Sequence, residues 1–96
     1  MKYRTRDGVV LTEVCGQYLL VSAEAIREFC PYVTQINESS AFLWKQLESG
    51  ASLDELESAV AEEYELEDPA AAGEAIRGFV QQMADMNYLI AENAGG

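Results

Sequence analysis

At Asn37 the spacing of apolar residues changes from a strand-like pattern to a period of 3.6, and no other feature limits the fold as much. Before it, Gly8 to Val14 and Gln17 to Ser22 are rich in Val, Leu and Tyr, with Cys15-Gly16 between them. Glycine accepts the positive φ of a tight turn without steric cost, so these segments are expected to form a β-hairpin. Tyr32-Val33-Thr34-Gln35-Ile36 alternates β-favouring residues and is expected as a third strand. In the connecting stretch, Ala25, Ile26 and Phe29 fall at helical spacing and allow one or two helical turns, which Pro31 ends.

Beyond this point the local signals are helical. Asn37 suits an N-cap, Glu38 the positive first turn, and Gly50 the C′ position; Ala41, Leu43, Trp44 and Leu47 make the inward stripe. Ser52-Leu53-Asp54-Glu55 reads as a capping box, followed by Leu56, Val60 and Tyr64 on one face with Leu53. Asp68-Pro69 offers an N-cap with proline at N1. The third helix is expected to run to about Asn87, burying Ile76, Phe79, Val80, Met83 and Met86. Tyr88-Leu89-Ile90 returns to the core, and residues 91–96 are expected as a loose tail. The expectation is therefore an α+β fold, a three-stranded antiparallel sheet followed by three helices. It forms a single domain over residues 1–96, ordered from about 8 to 90.

Charge removes several functions. The 96 residues include 17 acidic and 6 basic side chains and no histidine, for a net charge of −11. Without histidine there is no imidazole-based triad, metal site or proton shuttle. Nucleic-acid backbone contacts need clustered cations, so a nucleic-acid partner is not expected. No run approaches eighteen apolar residues, so no membrane span is expected. The basic opening residues lack a following apolar core, which points to a cytoplasmic location and to Cys15 and Cys30 as free thiols.

Eight carboxylates and no cation lie between Asp54 and Asp68, without the spacing of a calcium loop. The expectation is a solvated surface, no metal, no cofactor and no catalytic activity. The terminal Gly95-Gly96 resembles the tail of small sulfur carriers, but those end on a strand where this chain reads as helices. Acyl carriers need Asp-Ser-Leu at a helix start, and Glu38-Ser39-Ser40-Ala41 does not supply it. Binding remains. The third strand has no charge and no internal proline, so its edge lacks the usual protection against strand addition. A peptide could pair with it, or a helix or a second copy of the chain could cover it.

Taken in order, Gln17-Tyr18-Leu19-Leu20, Ile36-Asn37-Glu38-Ser39, Trp44 with Leu47, Gly50-Ala51-Ser52-Leu53-Asp54-Glu55-Leu56 and Tyr64 resemble the PqqD family. These are small recognition domains that bind the leader of ribosomally made precursor peptides, as in PQQ biosynthesis. The connection over 25–31 and the Trp44 to Gly50 segment are longer than the family pattern. The resemblance implies a winged-helix-like fold and a chaperone without chemistry of its own. The leader peptide would add as a strand along Tyr32, Val33, Thr34, Gln35 and Ile36. Arg77, Val80, Gln81 and Ala84 would form the groove wall, with Ile76 and Phe79 in the core. It also implies a modifying enzyme as partner, commonly a radical SAM enzyme, while a homodimer through the same edge is the competing use. The DNA-binding role of other winged helices is opposed by charge: the second and third helices offer Arg77 against ten carboxylates from Asp54 to Asp85.

Overall fold

The computed structural model of the chain describes residues 2–65 and 67–92. Cys15 and Gly16 take φ of 51° and 77° and reverse the chain between β2 (Val9–Val14) and β3 (Gln17–Ser22). This is the two-residue turn whose twist suits a hairpin. A 3-10 turn at Glu24–Ile26 then leads to β4 (Val33–Ile36), giving an antiparallel sheet in the order β2-β3-β4.

The helices begin where their caps dictate. The Asn37 Oδ1 accepts the Ser40 N–H at 2.7 Å and opens α1 (Glu38–Leu47), which ends before Gly50 at φ 87°. The Asp68 carboxylate accepts the Ala71 N–H at 3.2 Å and opens α3 (Pro69–Asp85). At α2 (Leu53–Glu63) the Ser52 hydroxyl accepts the Glu55 N–H at 3.1 Å, and the Glu55 carboxylate accepts the Ser52 N–H at 3.2 Å. That backbone bond, with Lys2 at 3.3 Å, holds the Glu55 carboxyl below its ordinary range. The interaction stabilises the fold above the ordinary glutamate pKa and is lost as pH falls through the lowered value. Ser52→Ala should cost about 1 kcal/mol of stability, read as a lower urea midpoint at unchanged slope.

Trp44, Leu47, Leu56, Met83, Tyr88 and Leu20 form the fully buried centre, with Trp44 and Tyr88 edge-to-face at 6.2 Å. The three helices and the inner face of the sheet thus share one core. The stripe expected on α1 is buried throughout; α3 ends at Asp85, short of the expected Asn87, and Phe79 on it and Met86 just after it are only partly covered.

Two ends of the chain depart from expectation. Lys2–Thr5 form a strand, β1, which pairs antiparallel with β5 (Leu89–Glu92) in a second, two-stranded sheet. Arg4 and Glu92 bridge at 3.2 Å, and Tyr3 exchanges backbone hydrogen bonds with Ala51 at 2.8 and 2.9 Å. Residues 2–5 therefore belong to the folded domain, and Ala91 and Glu92 belong to a strand rather than to a tail. The Gly95-Gly96 pair on which the carrier reading depends lies outside the described residues.

The cysteines stay apart as free thiols, Cys15 exposed and Cys30 buried. The Cys30 thiol donates to the Asn87 carbonyl at 3.1 Å, and burial pushes its pKa up, which favours the neutral thiol.

Candidate peptide-binding site

β4 pairs with β3 alone among the described strands, so its other side is a sheet edge. The Ser22 N–H bonds the Tyr32 carbonyl at 2.8 Å, and the register places Leu20 opposite Thr34 and Tyr18 opposite Ile36. Antiparallel ladders alternate, so Tyr32, Thr34 and Ile36 direct their backbone groups to β3. Val33 and Gln35 direct theirs outward. Two N–H and two C=O groups are thereby offered along the edge, with no charge or proline to block them.

The strand is fixed from beneath. The Thr34 hydroxyl lies 2.7 Å from the Tyr88 phenol, and the Tyr88 and Ser22 hydroxyls both donate to the Pro31 carbonyl, at 3.1 and 2.6 Å. The Asn87 amide donates to the Phe29 carbonyl at 2.6 Å and anchors the preceding connection to the end of α3. Tyr32 remains exposed, with the Arg27 guanidinium 3.7 Å above its ring. Such anchoring gives a peptide a preformed edge, which reduces the ordering cost of binding.

A groove of about 520 Å³ opens at the C-terminal end of β4, where Asn37 directly follows Ile36. Asn37, Ser39, Ser40 and Leu43 line it from the start of α1, and Val60 and Tyr64 from the end of α2. Ala72, Ala75, Ile76, Phe79 and Gln82 form its α3 wall. Every lining side chain is uncharged. The acid of α2 is spent on other faces, so a peptide entering the groove desolvates no carboxylate. Nearby, Glu13 and, secondarily, burial and Glu38 push the Tyr18 phenol above its ordinary range, so it stays a neutral hydroxyl.

The expected α3 residues do not line this groove. Val80 is 3% exposed and belongs to the core. Arg77 pairs with Glu57 of α2 at 3.5 Å, and the Gln81 amide donates to Asp85 at 2.9 Å on the exposed side. Ala84 is partly buried and outside the lining set. Phe79 and Ile76, expected in the core, pack there and also line the groove, Phe79 being only partly buried. The two sets of residues differ by a rotation about the helix axis. Residues 72, 75, 79 and 82 share one flank of the buried stripe, whereas Gly73 and Arg77 share the flank against α2.

Residues 31–89, more than half of the chain, match the family described as Coenzyme PQQ synthesis protein D (PqqD). The chain belongs to the PqqD family. The matched span holds β4, all three helices and the start of β5, so the edge and the groove both lie within the PqqD homology. No curated protein matches this chain. Two solved structures share its fold. "TbiB1 in Complex with the TbiA(beta) Leader Peptide" is 19% identical, with TM-score 0.73 over 94% of this chain and 98% of that one. "Lasso peptide synthetase B1 complexed with the leader peptide" is 17% identical, with TM-score 0.71 over 93% and 98%. Among the described residues no group of three or more Cys, Asp or Glu is placed to hold a metal ion.

Proposed function

We propose that this PqqD-family protein binds the leader region of a ribosomally synthesised precursor by strand addition to β4 and presents it to a tailoring enzyme. The observation that carries the reading is the outward backbone of Val33 and Gln35, on a strand that ends where Asn37 begins the lining of an uncharged groove. Backbone pairing supplies affinity without regard to sequence, and the groove selects apolar side chains through Leu43, Val60, Ile76 and Phe79. Likeness in fold to two proteins solved with leader peptides supports the same reading. The protein contributes position and no bond-making step, and it acts in the cytoplasm where the precursor is made. Family resemblance favours a radical SAM enzyme as the partner. One structural relative is a lasso peptide synthetase B1, which favours a second reading, in which the partner is another component of such a synthetase.

The test is an NMR titration of labelled protein with the synthetic leader of a precursor encoded beside this gene. Shifts should concentrate at Val33, Gln35, Phe79 and Gln82; absence of binding overturns the proposal. Phe79→Ala should weaken the leader by at least about tenfold, roughly 1.4 kcal/mol. Arg77→Ala should change it less than about twofold, because a solvent-exposed ion pair with Glu57 contributes little to a distant groove. The reverse order of effects would favour a groove wall through Arg77 over one through Phe79.

A further inference from the structure

Two arginines at the start of β4 have no carboxylate of their own. Among the described residues, Lys2 bridges Glu55, Arg4 bridges Glu92 and Arg77 bridges Glu57, which leaves Arg6 and Arg27 without an ion pair. Asp7, Glu24 and Glu28 stand near them in sequence, yet none of these pairs with either guanidinium. Both cations rest instead on aromatic rings of the connection into β4. The Arg6 guanidinium lies 5.1 Å from the centre of the Phe29 ring, and the Arg27 guanidinium 3.7 Å from that of Tyr32.

Of the two, Arg27 is exposed and is held in a fixed attitude. Its Nε–H donates to the Ser22 carbonyl at 3.2 Å, and the stack on Tyr32 orients the plane of the group. Neither contact uses the terminal nitrogens Nη1 and Nη2, which have no acceptor among the described residues. A planar fork already ordered, with donors still free, matches a carboxylate through two parallel hydrogen bonds.

Position decides which carboxylate. A strand paired with the outward backbone of Val33 and Gln35 passes Tyr32 one residue beyond Val33. Directly opposite side chains of an antiparallel pair share a face, with Cβ atoms about 5 Å apart. The leader residue facing Tyr32 therefore emerges beside the ring that carries Arg27. In a chain of net charge −11 an acidic peptide is repelled over most of the surface, and this end of the edge is where it meets unpaired positive charge. The groove at the Asn37 end is lined by uncharged side chains, so the two ends of β4 favour different chemistry. Arg27 also precedes residue 31, where the PqqD match begins, so the contact belongs to a part of this chain outside the matched span.

We propose that Arg27, stacked on Tyr32, is a specificity-determining residue that binds the carboxylate of an Asp or Glu at the leader position facing Tyr32. This rests on strand addition at β4. The pair fixes the register of the leader, because a slip of one residue turns that carboxylate to the opposite face of the sheet.

The experiment measures affinity by fluorescence anisotropy at low and high salt. Its probes are the synthetic leader of the precursor encoded beside this gene and a set in which each Asp or Glu is replaced singly by Asn or Gln. Arg27→Gln should weaken the unaltered leader about fivefold at low salt and less than about twofold at high salt. One leader substitution should cause the same loss with wild-type protein and no further loss with Arg27→Gln. Arg27→Lys should keep the salt dependence and part of the affinity. Unchanged affinity in Arg27→Gln overturns the contact and leaves strand addition standing. A loss that ignores both salt and every leader carboxylate also overturns it, since Arg27 then only braces the connection. Failure of the wild type to bind leader overturns strand addition and the contact together. A wild-type dimer that Arg27→Gln dissociates overturns the proposal as well, since carboxylates of a second copy then occupy the fork.

Discussion

Gln35→Pro is expected to weaken leader binding by at least about a hundredfold, roughly 2.7 kcal/mol, while the protein still folds. The Gln35 N–H points to the open side of β4, so proline there removes no bond to β3. Proline is tolerated on an edge strand in that orientation. The incoming strand loses one donor and meets a ring where its backbone must approach. Two comparisons separate main chain from side chain. Gln35→Ala keeps the N–H and should bind within a few fold of wild type. Thr34→Pro removes a bond to β3 and should unfold the strand, visible as a lower melting temperature. Glu62→Ala, exposed on α2, should leave affinity unchanged. Fluorescence anisotropy with labelled leader, together with thermal melts, checks all four. Equal losses for Gln35→Pro and Glu62→Ala would mean that the edge is not the binding surface.

Trp44→Ala should have the largest effect on stability, about 3–5 kcal/mol. Trp44 is completely buried and stands edge-to-face against Tyr88, whose hydroxyl in turn meets Thr34 of β4. Its indole Nε1 has no hydrogen-bond partner among the described residues, so the contribution is packing. A domain of this length is held by about 5–14 kcal/mol, so the loss is a large share of the total. Urea denaturation should show the midpoint falling at unchanged slope, with Trp44→Phe losing less because most of the volume remains. A cost below about 1 kcal/mol would mean that the site collapses around the deletion. Because Tyr88 links this residue to β4, the variant should also loosen the edge, which hydrogen exchange at Val33 and Gln35 can follow.

What could be read from the residues divides along a physical line. The hairpin at Cys15-Gly16 and the starts of all three helices are visible because turns and caps are local chemistry: Asn37, Ser52 with Glu55, and Asp68-Pro69 act on amides within three residues. The neutral third strand is legible for the same reason. The flank of α3 that lines the groove is not, because a 3.6 period reveals the buried stripe of Ile76, Val80 and Met83 without showing which neighbour lies to either side. That depends on how α3 crosses α1 and α2. The β1–β5 pair is hidden for a different reason. Each strand has only four residues, and Lys2-Tyr3-Arg4-Thr5 finds its partner at the other end of the chain. The charges of Arg4 and Glu92 are the one trace of that pairing in the sequence.

The clasp between β1 and β5 also sets the order in which the domain forms. Its contacts span nearly the whole chain, whereas β2, β3 and β4 close through short connections. Loop-closure entropy delays the most distant pairings, so the meander assembles early and the clasp late. In that interval the open edge of β4 exists without a finished domain around it, and such an edge can nucleate aggregation between copies. Net charge of −11 is the kinetic safeguard: mutual repulsion slows encounters while each chain completes its own closure. Refolding yield should therefore fall as salt is raised, and fall most at high protein concentration.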